Sequence, residues 1–293
     1  MIVVTTPTGN VGHHVLANLV RAGLPVRVIV RDPCKIDVNL RSQIEVLQGS
    51  HSDAAVVDKA FEGASALFWL APGEPFRTPD EAYVDFARSA ADAIKRHNVQ
   101  RVVSTAALGR NTKWQDKAGI VSAMFRMDDL LMSTGVNFRA LAMPSFMDNT
   151  LHTFDTIRDQ GKMFGPHVAD VKAPKTAVRD VGATAARLLA DDSWSGQSEL
   201  KLIGPEDLSM IEMAAIVSDV LGREIPFVEV AYEDFRQGAI ARGVSTAFAD
   251  GFVEMFRAKD EGMDAGPFDE PVERAPTTFR QWCEDVLKPM LDR

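Results

Sequence analysis

The aliphatic run Ile2-Val3-Val4 leads directly into Thr5-Thr6-Pro7-Thr8-Gly9-Asn10-Val11-Gly12. Glycines at 9 and 12, after a strand-like run and before an amphipathic one, let backbone approach a bound group closely. The chemistry is phosphate binding. The N–H groups of Gly9, Asn10 and Val11 point outward at a helix N-terminus, where the dipole favours an anion. A dinucleotide turn has three glycines, and Thr6 stands where the first belongs. Thr6 adds a hydroxyl there, and Thr8 lies in the same turn. A plain strand-to-helix turn would use the same two glycines, but the strand before and the helix after favour the nucleotide.

A second cluster lies about 20 residues on, where an NAD site places a carboxylate on the ribose. There the chain reads Val30-Arg31-Asp32, with Lys35 following. Two cations at that place suit a 2′-phosphate, so NADP(H) is the expected cofactor. Asp32 leaves NAD(H) open. The alternative is a solvated Arg31 and an Asp32 that caps a helix.

Other chemistry-bearing residues form no motif. His51, His97, His152 and His167 are scattered without HxH or HExxH spacing, so no metal site is expected. There is no GxSxG elbow. His13-His14 reads as surface, Lys113 and Lys117 as solvated, and Asp128-Asp129 as a solvated helix face. Trp114, Met124, Met127 and Met132 read as core. With Phe146, Met147, Phe154, Met163 and Phe164 they could also wall an apolar substrate cavity.

Periodicity supplies the elements that must position these groups. Strands are predicted at 2–5, 26–30, 44–47, 66–71, 101–105 and 137–143, and helices at 12–22, 53–61, 79–97 and 119–134. This alternation predicts an α/β fold, a doubly wound parallel sheet with helices on both faces. After Pro144 the rhythm breaks. Helices are expected at 151–160, 184–190, 209–221, 233–243, 246–258 and 279–291, a strand at 199–203, and a Gly- and Pro-rich surface loop over 260–276. Ser209 and Glu212 have capping-box spacing, and Gly222 ends that helix. The expected organisation is a nucleotide-binding domain over 1–144. A smaller mixed substrate cap follows over 145–293, with segments near 176–204 returning to the main sheet.

Composition narrows the function classes. The 293 residues carry a net charge of −9, split as +1 over residues 1–150 and −10 over the rest. An acidic chain without a basic cluster is a poor nucleic-acid binder. No apolar run approaches the roughly 20 residues that span a bilayer. The start of the chain reads as a strand rather than a signal peptide. Cys34 and Cys283 lie far apart, which suits a reducing cytoplasm.

Several stretches together resemble the NmrA-like branch of the atypical short-chain dehydrogenase/reductases, which includes quinone- and azo-reductase-like enzymes and redox-sensing regulators. They are VVTTPTGNVG, GLPVRVIVRDPCK, RVVSTAALG, STGVNFRALAMPSFMDN, AVRDVGATAARLLAD, GPEDLSMIEMAAIVSDVLGREIPFVEV and RAPTTFRQWCEDV. The resemblance implies a Rossmann NAD(P)-binding domain. It implies that Gly49-Ser50 flank the adenine, Leu70-Ala71-Pro72 line the ribose, and Phe146 and Asn149 lie near the nicotinamide and substrate. Classical members of the superfamily use a Tyr-x3-Lys pair and a serine. Here Tyr83 and Tyr232 are followed four residues on by Ala87 and Arg236, and Ala106 or Ala107 replaces the serine. No catalytic residue is assigned. The leading expectation is an oxidoreductase passing hydride to an aromatic or conjugated small molecule. The alternatives are a non-catalytic redox sensor with a protein partner and a biosynthetic enzyme without net redox. A second copy of the chain, as a homodimer, is a further candidate partner.

Overall fold

Short runs of β-branched and aromatic residues pair side by side in the computed structural model, which describes residues 1–269 and 271–292. The strands of the first half are β1 (Ile2–Val4), β2 (Val26–Val30), β3 (Glu45–Gln48), β4 (Ala66–Trp69), β5 (Arg101–Ala107) and β6 (Asn137–Met143). Then come β7 (Met163–Gly165), β8 (Ala173–Pro174), β9 (Gln197–Ile203), β10 (Asp207–Leu208), β11 (Phe227–Glu229) and β12 (Val272–Arg274). Eight of them form one parallel sheet in the order β3-β2-β1-β4-β5-β6-β9-β12. The small pairs β8–β10 and β7–β11 stand apart. Central strands such as β1 and β4 are buried at every residue, which is why they read as unbroken apolar runs.

Helices cover both faces. On one, Val15, Leu16 and Leu19 of the helix Gly12–Arg21 pack with Val181, Ala185 and Leu189 of the helix Val178–Ala190. On the other, Val57, Phe61, Ile94, Met127 and Leu131 come from the helices Ala54–Phe61, Arg88–His97 and Ile120–Met132. A separate cluster gathers Met147, Ile157, Met163, Met213, Val217, Phe279, Trp282 and Leu287 from residues after Pro144.

Some expectations need correction. The helix predicted to start at Thr184 starts at Val178 and runs through Gly182, where a Cβ would lie 2.3 Å from His14 Cβ. The glycine that weakens the helical pattern is what allows the close packing. The loop expected over 260–276 contains β12, which extends the sheet beside β9 (Glu270 lies outside the described residues). The helix expected over 79–97 is interrupted by a tight turn at Asp85–Ala87. Met147 and Met163 are buried in the third cluster, with Phe154 packed against it. Asp128 is not on a solvated face: it is fully buried, and Asp129 is the exposed neighbour.

Candidate functional site

Parallel pairing brings the C-terminal ends of the main strands to one edge, where such sheets bind ligands. Going along it, Gly49 follows β3, Arg31 follows β2, the Thr6 turn follows β1, Leu70 follows β4 and Phe146 lies beyond β6. Strand order changes direction at β1, with β2 on one side and β4 on the other. Residues that the sequence scatters over 140 positions thus share one edge of the sheet.

The turn is built around Thr6. Its φ is +50°, a left-handed conformation that suits glycine, and its carbonyl accepts the Gly9 N–H at 2.9 Å, so that N–H, expected to face the phosphate, closes the turn instead. A Cβ at Gly12 would lie 2.0 Å from the Thr6 carbonyl oxygen, so this glycine is fixed by the turn itself. At Gly9 the same approach is 3.3 Å. Thr8 and Asn10 are exposed. The N–H groups of Asn10 and Val11 have no backbone acceptor among the described residues. The helix that follows has no acidic residue in its first turn to cancel its positive end. Thr6 Oγ1 is buried without a partner. An orphaned hydroxyl, free N–H groups and a helix end with no acid to cancel it together fit a phosphate.

Beyond β2, Arg31 and Lys35 are exposed and form no ion pair among the described residues. Asp32 caps the short helix Pro33–Lys35 by accepting the Cys34 N–H at 3.0 Å. One of its two carboxylate oxygens is therefore engaged. Gly49 packs on Val56, which a Cβ would meet at 2.6 Å. Ser50 Oγ lies 2.8 Å from Ser52 Oγ.

Two residues with no sequence signature hold this edge. Thr5 Oγ1 donates to the Phe68 carbonyl at 3.1 Å and accepts the Leu70 N–H at 3.0 Å, fixing how the chain leaves β4. His51 Nε2 lies 3.1 Å from the Leu70 carbonyl, tying the loop after β3 to the end of β4. Burial pushes the His51 pKa down to about 4, so the ring is neutral and Nε2 is its donor.

Past Pro72, a Cβ at Gly73 would meet the Tyr83 hydroxyl at 2.6 Å. An aromatic lane begins there. Tyr83 faces Phe248, and Phe248, Phe252 and Phe256 follow at helical spacing along the helix Thr246–Asp260. The lane ends where Phe256 meets His167, with ring centroids 4.9 Å apart. Phe252 and Phe256 are only partly buried. Phe146 pairs with Thr176 in an isolated bridge, and the Asn149 side chain is exposed in the turn that follows.

Neither tyrosine is a free acid. Burial pushes the Tyr83 phenol up to about 12. Tyr232 is raised by burial and by donation to Asp260 Oδ2 at 2.5 Å. Ala106 and Ala107 end β5 with no polar side chain. Asp128 accepts from Ser104 Oγ at 2.9 Å under the sheet, and burial, outweighing Arg110 at 3.8 Å, pushes its pKa up to about 7. The spacing Val121, Phe125, Asp128 already placed it on the buried face of its helix.

The fold and the edge define a dinucleotide-binding protein of the Rossmann kind. Residues 7–192 match the model of the NAD(P)H-binding family, and the chain belongs to that family. It is 30% identical to a (4-alkanoyl-5-oxo-2,5-dihydrofuran-3-yl)methyl phosphate reductase of Streptomyces griseus over 97% of both chains. Its fold matches an NADPH-dependent quinone oxidoreductase of Escherichia coli complexed with NADPH, with a TM-score of 0.74 at 22% identity, covering 89% of this chain and 90% of that one. It also matches NmrA, a negative transcriptional regulator in complex with NAD, with a TM-score of 0.73 at 15% identity over 99% and 96% of the two chains.

Proposed function

We propose that this protein is an NADPH-dependent reductase of conjugated, electron-poor small molecules. One observation carries the reading: the aromatic lane starts at Gly73, directly beside the nucleotide edge, and neither tyrosine next to it is an activated proton donor, since burial raises both phenols and no lysine stands four residues on to lower them. An unactivated ketone needs such a donor for its alkoxide, whereas a conjugated acceptor spreads the incoming charge. The relatives' names agree. One specifies a ring double bond conjugated to a carbonyl, another a quinone.

In this reading Thr6, Thr8, Gly9, Asn10 and Val11 hold the pyrophosphate, with Thr6 Oγ1 supplying the hydroxyl that now lacks a partner. Arg31 and Lys35 hold the 2′-phosphate. Gly49 and Ser50 flank the adenine, Leu70, Ala71 and Pro72 the ribose. Phe146 and Asn149 border the acceptor. The bound cofactor supplies hydride. The protein's own part is to orient the acceptor on the aromatic lane and to exclude water around it.

Calorimetric titration tests the cofactor assignment. Arg31→Ala is expected to weaken NADPH by about 1–3 kcal/mol, the range for hydrogen bonds to charged groups, and to leave NADH nearly unchanged. Equal losses for both cofactors would refute the 2′-phosphate role.

A further inference from the structure

A small cavity of about 20 Å³ lies beyond the end of β6, at the far end of the aromatic lane. It has room for about one oxygen-sized group. Ser145, His167, Lys175 and Asp264 border it. The backbone at Lys175 is clamped: Thr176 N–H donates to the Ser145 carbonyl at 3.2 Å, and a Cβ at Gly204 would lie 1.8 Å from the Lys175 carbonyl oxygen.

The charges in this cluster are unequally satisfied. Asp264 Oδ2 accepts from Lys259 Nζ at 2.5 Å and from the Ser145 N–H at 3.2 Å. Asp260 accepts from the Tyr232 hydroxyl, the Val168 N–H and His167 Nδ1. Two groups are left over. Lys175 Nζ, nine-tenths buried, has one long bond of 3.4 Å to the Ala173 carbonyl. Asp264 Oδ1 is buried with no partner. A ligand completing both must accept from an ammonium and donate to a carboxylate, which is what a hydroxyl or enol oxygen does.

We propose that Lys175 binds the oxygen of the conjugated acceptor and gives it the proton that the absent Tyr-Lys pair would supply elsewhere, and that Asp264 accepts from the O–H so formed. The proposal rests on the reductase reading above. As the acceptor carbon gains hydride, the π pair moves through the conjugated system onto oxygen. An O–H bond forms as one Nζ–H bond of Lys175 breaks, and a solvent proton recharges the amine. Burial supports this by pushing the Lys175 pKa down to about 8. Asp264, Asp260 and Asp207 oppose that fall, and Lys259 adds to it.

The test is binding of 2-naphthol and its methyl ether to the NADP⁺-saturated protein, followed by calorimetry. The ether has the same rings but cannot donate. Wild type is expected to prefer the naphthol at least ten-fold, Asp264→Asn to abolish the preference, and Lys175→Met to weaken both ligands alike, with NADP⁺ affinity unchanged in each. Lys175→Gln is the second lysine variant, and Asp264→Ser the second aspartate variant, should the first misfold. With a quinone acceptor, wild-type kcat is expected to fall above pH 8 as Lys175 loses its proton, and the lysine variants to lack that limb. A purely structural lysine would lower Tm without moving either readout. No preference in wild type, or a preference that survives in a folded Asp264 variant, overturns the assignment. An Asp264-dependent preference in a protein that reduces no acceptor supports the oxygen site and instead refutes the reductase reading.

Discussion

Thr6 is a β-branched residue held at φ +50°, a conformation that costs an L-residue roughly 1–2 kcal/mol. Glycine would remove that cost but loses roughly 0.5–1 kcal/mol more backbone entropy on folding. Thr6→Gly is therefore expected to be neutral or to stabilise by up to about 1 kcal/mol in thermal melts, while losing the hydroxyl beside the phosphate. Gly12→Ala is the opposite case. Its Cβ meets the Thr6 carbonyl carbon and oxygen at 2.7 and 2.0 Å, and a loss of about 3 kcal/mol is expected. A Gly12→Ala protein with wild-type Tm would mean that the turn has another shape. The glycines of this turn were legible because their spacing is itself the signal. Lys175 was not: it sits beside a two-residue strand whose partners are distant in sequence. His51 was visible only as a lone histidine, since its partner at Leu70 is set by strand order.

The helix Gly12–Arg21 carries the phosphate turn, and its position depends on the helix Val178–Ala190 across Gly182. A methyl there would approach His14 Cβ to 2.3 Å and the Val15 nitrogen to 3.1 Å. Gly182→Ala is expected to cost about 1–3 kcal/mol by overpacking, read as a lower urea midpoint. NADPH affinity should fall with it, because the helix end that faces the phosphate shifts. Unchanged midpoint and affinity would separate the two helices. Element identity was readable where a pattern was long. β4 follows from a continuous apolar run, β2 and β6 from apolar residues interrupted only at Arg27 and at Asn137 and Arg139, and Ser209 and Glu212 form the capping box that their spacing announced. β12 was not readable. Its three residues, Val-Glu-Arg, lie in a Gly- and Pro-rich stretch and become a strand because β9 offers a free edge. β7, β8, β10 and β11 are equally short and equally dependent on their neighbours.

At the scale of the whole molecule, two buried groups give stability opposing responses to pH. His51 is neutral in the fold with a pKa near 4, against 6.5 ordinarily. Below pH 6.5 the unfolded chain binds a proton that the fold does not, so this contribution is lost as pH falls towards 4. Asp128 has its pKa raised to about 7 from 3.8, so the fold holds a proton that the unfolded chain has lost. Its contribution is full below pH 4 and is lost as pH rises to 7. His51→Gln is expected to flatten the acid loss of Tm between pH 6.5 and 4, and Asp128→Asn to remove a decline between pH 4 and 7. Parallel curves for variant and wild type would place neither group as described. The account's central claim is reduction of conjugated acceptors without a tyrosine acid. It is tested most directly by NADPH oxidation at saturating cofactor, comparing a quinone and a 5-oxo-2,5-dihydrofuran with cyclohexanone. The conjugated acceptors are expected to react at least ~10²-fold faster, because they spread the incoming charge and a simple ketone does not, with Tyr83→Phe and Tyr232→Phe within a few-fold of wild type. Fast reduction of cyclohexanone abolished by either tyrosine change, or NADPH binding with no oxidation by any acceptor, would contradict it.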